Sequence, residues 1–297
     1  MDKKLIIVTH SGSFHTDDVF AVAAILLVLK EKPVVARIVR TRDEAVIAEA
    51  DFVVDVGAVY DLAKERFDHH QNGGAGAREN GVPYAAFGLV WKKYGEQLAS
   101  SSETAAIIDR NLVQFVDSMD NGVGELRSVA VDALPYTVRE IISAFNPGWD
   151  EDSLDQDVRF SEAVNFASQA LAREIKSTES FVKGKDFVEE AYKKASDKRV
   201  IFLEKNYPWD CVLNRFPEPL FVVEPTTNGW KVYAVKDNPV SFINRKDMPL
   251  EWAGKRDAEL ALVSGVPDAI FCHNRRFIAV AKSKEGAIAL ARKATGI

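Results

Sequence analysis

The chain has 297 residues, 47% hydrophobic and 28% charged, with a formal net charge of −6. This composition excludes a disordered or collagen-like chain and supplies a substantial core, with length enough for two domains. Cys211 and Cys272 fit neither a disulfide framework nor a metal-ligand spacing, and the N-terminus has no signal-peptide layout, so a reducing cytoplasm is the expected setting.

Residues 5–9 are an apolar run that reads as a buried strand. Residues 19–29 are apolar almost all round yet too short to span a bilayer, so they read as a buried helix, and no membrane contact is expected. Residues 34–39 are strand-like, 43–50 a short helix, and 52–56 a third strand. This alternation predicts an α/β fold: a parallel sheet covered on both faces, with the strand C-termini on the edge where such sheets bind ligands. Residues 71–81 hold four glycines in eleven positions and read as a surface loop. Helices are expected over 84–94 and 103–117, a loop over 145–158, and a long helical bridge over 158–196. Short β runs come next at 199–203, 220–224, 230–235 and 269–272, with a last helix over 285–294. The expected layout is a catalytic domain (1–150), a helical bridge (151–198) and a smaller substrate-binding α+β domain (199–297), with no internal repeat. Residues 198–297 carry 16 Lys and Arg against 11 Asp and Glu, whereas the preceding part is acidic. Metals collecting in the first part and an anionic substrate in the second would suit this asymmetry, although scattered surface charge looks the same.

Four of the five histidines lie in the first 70 residues, each near aspartates where strands should end. His10, His15 and Asp17 follow the first strand across a Ser11-Gly12-Ser13 turn, with Asp18 next to them. Asp55 ends the third apolar strand, where a carboxylate is costly to bury unless paired or metal-bound. Asp68-His69-His70 and Asp117-Ser118-Met119-Asp120-Asn121-Gly122 complete the set. Singly, each has an ordinary structural reading: a hydrogen-bonded core histidine for His10, a cap or turn residue for Asp55, Asp18 and Asp120. The ordered set points to a metal centre.

That order resembles the DHH phosphoesterase superfamily and, within it, the Myg (melanocyte-proliferating-gene) family. The resemblance runs through Thr9-His10 to Asp17, Val54-Asp55-Val56-Gly57, Tyr60-Asp61, Phe67-Asp68-His69-His70-Gln71, Pro83-Tyr84-Ala85, Gly88-Leu89-Val90-Trp91 and Asp120-Asn121-Gly122. It continues through Phe242, Arg245, Trp252, Ser264-Gly265-Val266-Pro267, Phe271, His273 and Glu285-Gly286-Ala287, and so covers nearly the whole chain. It implies a DHH-type N-terminal domain and two divalent ions. His10, His15 and Asp55 would hold one ion; Asp17, Asp55, His69 and Asp120 the other, with Asp55 shared. His15 stands where many superfamily members have aspartate, and mixed imidazole and carboxylate ligands favour Mn²⁺, with Co²⁺, Zn²⁺ and Mg²⁺ as alternatives. Which of His69 and His70 is a ligand stays open, because adjacent side chains depend on local backbone geometry.

Such a centre attracts phosphate and activates water. His70, if not a ligand, is placed to contact phosphate or protonate a leaving oxygen, and Asp68 to orient His69. Arg78, Arg245, His273 and Arg276 are the candidates for holding substrate, arginine matching phosphate oxygens with its planar fork. Ala279-Val280 replace a glycine pair of related proteins, which bears on substrate choice. The leading expectation is a phosphodiesterase or exonuclease acting on a small phosphate-containing substrate or short single-stranded nucleic acid, RNA included. Long duplex DNA is not expected of an acidic chain without a basic stripe. A metal-dependent amide hydrolase and a metal-stabilised, non-catalytic interaction protein are the alternatives. Homo-oligomerisation is left open.

Overall fold

The computed structural model describes residues 3–30, 32–123, 135–151, 156–238 and 242–296. Part of the loop expected over 145–158, residues 152–155, lies outside them. The chain divides into two compact units, 1–179 and 180–297.

In the first unit, strands β1 (Lys3–Thr9), β2 (Val34–Arg40), β3 (Phe52–Val54), β4 (Tyr60–Asp61) and β5 (Arg66–Phe67) form one sheet in the order β2-β1-β3-β5-β4. The pairs β1–β2, β1–β3 and β3–β5 are parallel, as the alternating sequence predicts, but the edge strand β4 is antiparallel to β5. These two strands are too short to show a period of two, so the antiparallel edge was not legible. Successive β1 side chains point to opposite faces. Leu5 and Ile7 join the large core built with helix α1 (Thr16–Leu29) and helix α3 (Ala86–Ala99), while Ile6 and Val8 meet the short helix α2 (Glu44–Glu49). Helix α1 is buried almost all round because the first part of the long helix α7 (Gln156–Lys194) contributes Phe160, Val164 and Leu171 to the same core.

Two departures bear on the site. The strand expected over 52–56 stops at Val54, because Asp55 takes a left-handed φ of 55°. The helix expected over 103–117 is α4 (Ser102–Ile108), a π turn over Asp109–Val113, and α5 (Gln114–Asp120). A π turn widens the helix by one residue and re-aims the side chains of the next turns.

In the second unit, strands β6 (Val200–Phe202), β7 (Phe221–Thr226), β8 (Gly229–Ala234), β9 (Ala269–Cys272) and β10 (Ile278–Ala281) form a sheet in the order β6-β7-β8-β10-β9. Only β6–β7 is parallel. Phe221 and Val223 face a core closed by the helix Lys284–Thr295, through Leu290 and Ala294. Val222 faces the opposite side, with Val188 and Leu213. No helix among the described residues is long and apolar enough to cross a membrane.

Candidate metal centre

The C-terminal ends of β1 and β3, the segment after β5, and the end of α5 deliver the predicted residues to one place. His10 directly follows β1. The turn after it contains Gly12, whose φ of 96° suits glycine. That turn is held from two sides: Asn146 accepts from the Phe14 amide at 3.0 Å and donates to the Phe14 carbonyl at 3.0 Å, and Arg40 donates to the Gly12 carbonyl. Asp18 caps the start of α1, its Oδ1 accepting from the His15 and Val19 amides at 2.9 and 2.8 Å. Asp55 follows β3 in its left-handed conformation, a position that costs an L-residue about 1–2 kcal/mol and that aspartate tolerates better than most.

The side chains converge. His10 Nε2 lies 3.4 Å from Asp55 Oδ2 and 3.3 Å from Asp18 Oδ2. His69 Nε2 lies 3.1 Å from Asp120 Oδ2, 3.3 Å from Asp55 Oδ1 and 3.9 Å from Asp17 Oδ2. Three overlapping groups have ligand atoms within 4.8 Å of one another: His10, His15 and Asp55; Asp55, His69 and His70; His15, Asp17 and Asp120. Asp55 and His15 each belong to two of them. All six predicted ligands are therefore brought together, and His70 with them. Among the described residues, no Lys or Arg pairs with Asp17, Asp55 or Asp120; only imidazoles do.

These groups perturb one another strongly. Burial, with Asp55, Asp120 and Asp18 close by, pushes the Asp17 carboxyl well above the usual carboxylate range. Burial would lower His10, but Asp18 and Asp55 outweigh it and lift it to about 10. His69 rises to about 10 likewise, burial being overcome by Asp120 and Asp55. Burial would raise Asp55, yet His10 and His69 hold it at about 2.

Whether the residues fit divalent ions is tested by their unmet polar atoms. His10 Nε2, His69 Nε2, Asp17 Oδ1, Asp18 Oδ2 and Asp55 Oδ1 are buried and make no well-aligned hydrogen bond. A buried polar atom left unpaired is costly, typically about 1–3 kcal/mol. Five in one cluster are what a divalent cation held among them would satisfy. His10 Nδ1 lies 3.2 Å from the Ser11 carbonyl; donating there leaves Nε2 as the ligating lone pair. The donor set fits.

The family model MYG1_exonuc, described as an uncharacterised protein family (UPF0160), matches residues 6–295. The chain belongs to this family. Its relatives include a MYG1 protein of Dictyostelium discoideum, 34% identical over 97% of this chain and 96% of that protein. Proteins named MYG1 exonuclease are 32% identical in Rattus norvegicus (96% of this chain, 83% of that protein) and 31% in Homo sapiens (96% and 84%). Among solved structures, an exopolyphosphatase-related protein from Bacteroides fragilis aligns over 99% of this chain and 92% of that one. Its TM-score of 0.24 and 10% identity carry no argument.

Within this MYG1-family chain, several residues sit differently from the sequence expectation. Asp68 orients His70 rather than His69: its Oδ1 lies 2.8 Å from His70 Nδ1 and accepts the His70 amide at 3.1 Å, while Oδ2 accepts the Ala58 amide at 2.5 Å. His69 is 8% exposed and His70 61%, so burial separates the adjacent pair into an inner imidazole and an outer one. Arg78, a candidate for holding substrate on the expected surface loop, is tied to Asp109 and Asp117, each at 2.7 Å, and stacks over Tyr84. Asp117 also accepts the Gly88 amide at 2.9 Å, and a Cβ at Gly88 would fall 1.8 Å from its carboxylate.

In the second unit, Arg245 donates to the Phe216, Pro219 and Asn214 carbonyls. Arg276 pairs with Asp247 at 2.7 Å, and His273 Nδ1 accepts the Arg275 amide at 3.0 Å. Ala279 points into the core, so of the two residues replacing the glycine pair only Val280 lies on the other face.

Sequence reading passed over Arg42. It lines a cleft of about 690 Å³ together with His10, His15, Asp55 and His70, is exposed, and makes no salt bridge among the described residues. The available signal was its place just past β2, beside the end of β1, on the ligand-binding edge of the sheet. The roles of Asp109 and Asp117 left no comparable signal, since they depend on the π turn.

Proposed function

We propose that this chain is a divalent-metal-dependent phosphoesterase of exonuclease type, acting on short single-stranded nucleic acid. The observation that carries the reading is the buried, overlapping set of imidazoles and carboxylates, several of whose polar atoms make no well-aligned hydrogen bond. The exonuclease names of mammalian relatives and the family's resemblance to DHH phosphoesterases support it. His10, His15 and Asp55 would hold one ion, and Asp17, Asp55, His69 and Asp120 a second, with Mn²⁺ the best match to this mixed set. When bound, the ions supply Lewis acidity for the phosphoryl oxygens and lower the pKa of water.

The chain's own residues do the rest. Arg42 holds a non-bridging phosphate oxygen or a neighbouring phosphate across the cleft. In the hydrolysis, a water oxygen becomes bonded to phosphorus and gives up one proton to solvent, the P–O bond to the departing nucleotide breaks, and the leaving oxygen takes a proton. His70 is the residue placed to give that proton: it is exposed to the cleft, and Asp68 fixes its Nδ1 side. Asp18 and Asn146 keep His10 and His15 in register.

The test is hydrolysis of short RNA, short DNA and a peptide library with Mn²⁺, alongside equilibrium metal binding, for wild type and Asp55→Asn. Phosphodiester cleavage and metal binding lost together in the variant support the proposal. Peptide cleavage alone, or tight metal binding without turnover on any substrate, overturns it.

A further inference from the structure

The candidate metal centre adjoins a second opening, which shares His15 with the cleft and is not lined by Arg42. A pocket of about 230 Å³ is lined by His15 and Asp120 of the third ligand group, by Phe14, Phe115 and Met119, and by Arg139 and Ser143 at its rim. It is smaller than the ~300–1,000 Å³ of sites for drug-sized ligands and admits one flat ring system. Phe14 is buried at its floor, and the half-buried Phe115 and Met119 offer aromatic and thioether surfaces on which a heteroaromatic ring can stack. Arg139 and Ser143 lie on helix α6 (Val138–Ser143), are exposed, and offer hydrogen-bond donors at the edge.

The two openings differ in their side chains: the cleft sets the exposed Arg42 beside aliphatic residues such as Ile47 and Val59, whereas the pocket sets Phe115 and Met119 among polar groups. A phosphodiester with its phosphorus at the metal centre has two ester substituents, and they would leave in these two directions. From this geometry we infer that the pocket beside His15 and Asp120 is a nucleobase subsite, which receives the base adjoining the scissile phosphate while the phosphate-rich remainder of the strand runs along the Arg42 cleft. The inference rests on the phosphoesterase reading above and deepens it: a polyphosphate, which has no ring to place there, is a poor substrate, and the recognised unit is a nucleotide of any base, since stacking does not read base edges.

The test is isothermal titration of the Mn²⁺-loaded full chain with a nucleoside monophosphate, ribose 5-phosphate and inorganic phosphate. Wild type is expected to bind the nucleoside monophosphate at least ~10-fold more tightly than ribose 5-phosphate. Ser143→Trp, which fills the pocket from its exposed rim, removes that preference and leaves inorganic phosphate binding unchanged. Arg139→Ala, on an exposed position of the same helix, reduces the preference by a smaller factor and decides the matter if the tryptophan variant does not fold. Equal affinity of wild type for the two sugar phosphates overturns the subsite, as does a preference that survives both substitutions. If inorganic phosphate does not bind and no phosphodiester is cleaved, the phosphoesterase reading falls and the subsite with it. Phosphate binding and RNA cleavage without base preference remove the subsite alone.

Discussion

The imidazoles and carboxylates of the first unit and the arginines of the second were both named as site residues from sequence, yet the structure treats them oppositely. Around Asp55, buried donors and acceptors lie close together without satisfying one another. Around Arg245 and Arg276, each guanidinium already has carbonyl or carboxylate partners within its own unit. Folding rarely leaves buried polar atoms unpaired, so a cluster of them marks a place shaped for something else, whereas a satisfied arginine needs no further explanation. Arg78 belongs with the satisfied arginines although it lies in the first unit, whereas Arg42 is exposed, lines the cleft and makes no salt bridge among the described residues.

The largest expected effect is at the shared carboxylate. Asp55→Asn should abolish high-affinity metal binding and lower phosphodiester turnover by ~10³-fold or more, the loss of several kcal/mol of metal-assisted stabilisation. Retained activity would show that the unsatisfied cluster is not the reacting centre. Next is Arg78→Ala. It strands the buried Asp117 and should cost about 3–5 kcal/mol of stability, read as a lowered denaturant midpoint, while turnover per folded molecule is retained. A turnover defect at full stability would move Arg78 back into the site.

Arg42→Ala should do the reverse, weakening turnover by ~10–100-fold, mostly through KM, with the unfolding midpoint unchanged. Metal affinity should also depend on pH. His10 and His69 titrate near 10 without a cation, so at neutral pH they carry protons that ligation must displace. Affinity should therefore rise with pH, by ~10-fold per unit for each proton released, and titration in buffers of different ionisation enthalpy should show net proton release. Pairs already protonated and indifferent to metal would show none. The smallest effect is Arg276→Ala, expected to leave KM within about twofold, because that side chain is occupied by Asp247.

Much of the first unit was legible because its signals are local. The apolar runs at β1 and β2 and the all-round apolar α1 each fixed an element, and the positions of His10, Asp55 and Asp68-His69-His70 at strand ends fixed the side of the sheet on which they lie. The features that were not legible depended on contacts remote in sequence. The Asp55 amide donates to the Phe67 carbonyl at 3.1 Å, and β4 pairs with β5 through Tyr60 and Phe67, contacts that no short stretch announces. The π turn after Ile108 brings Asp109 and Asp117 to bear on Arg78, some thirty to forty residues away in the chain.

The sequence by itself determined the ligand chemistry, imidazole and carboxylate in a fixed order, and the α/β frame that carries it, because residue type and hydrophobic period are properties of short stretches. Only the tertiary structure decided that His69 is the inner imidazole and His70 the outer, that Asp68 serves His70, and that Arg78 is held by carboxylates while Arg42 stays exposed at the cleft. Burial and partner choice are set by which distant side chains arrive first in hydrogen-bonding range, and no short stretch of sequence contains that information.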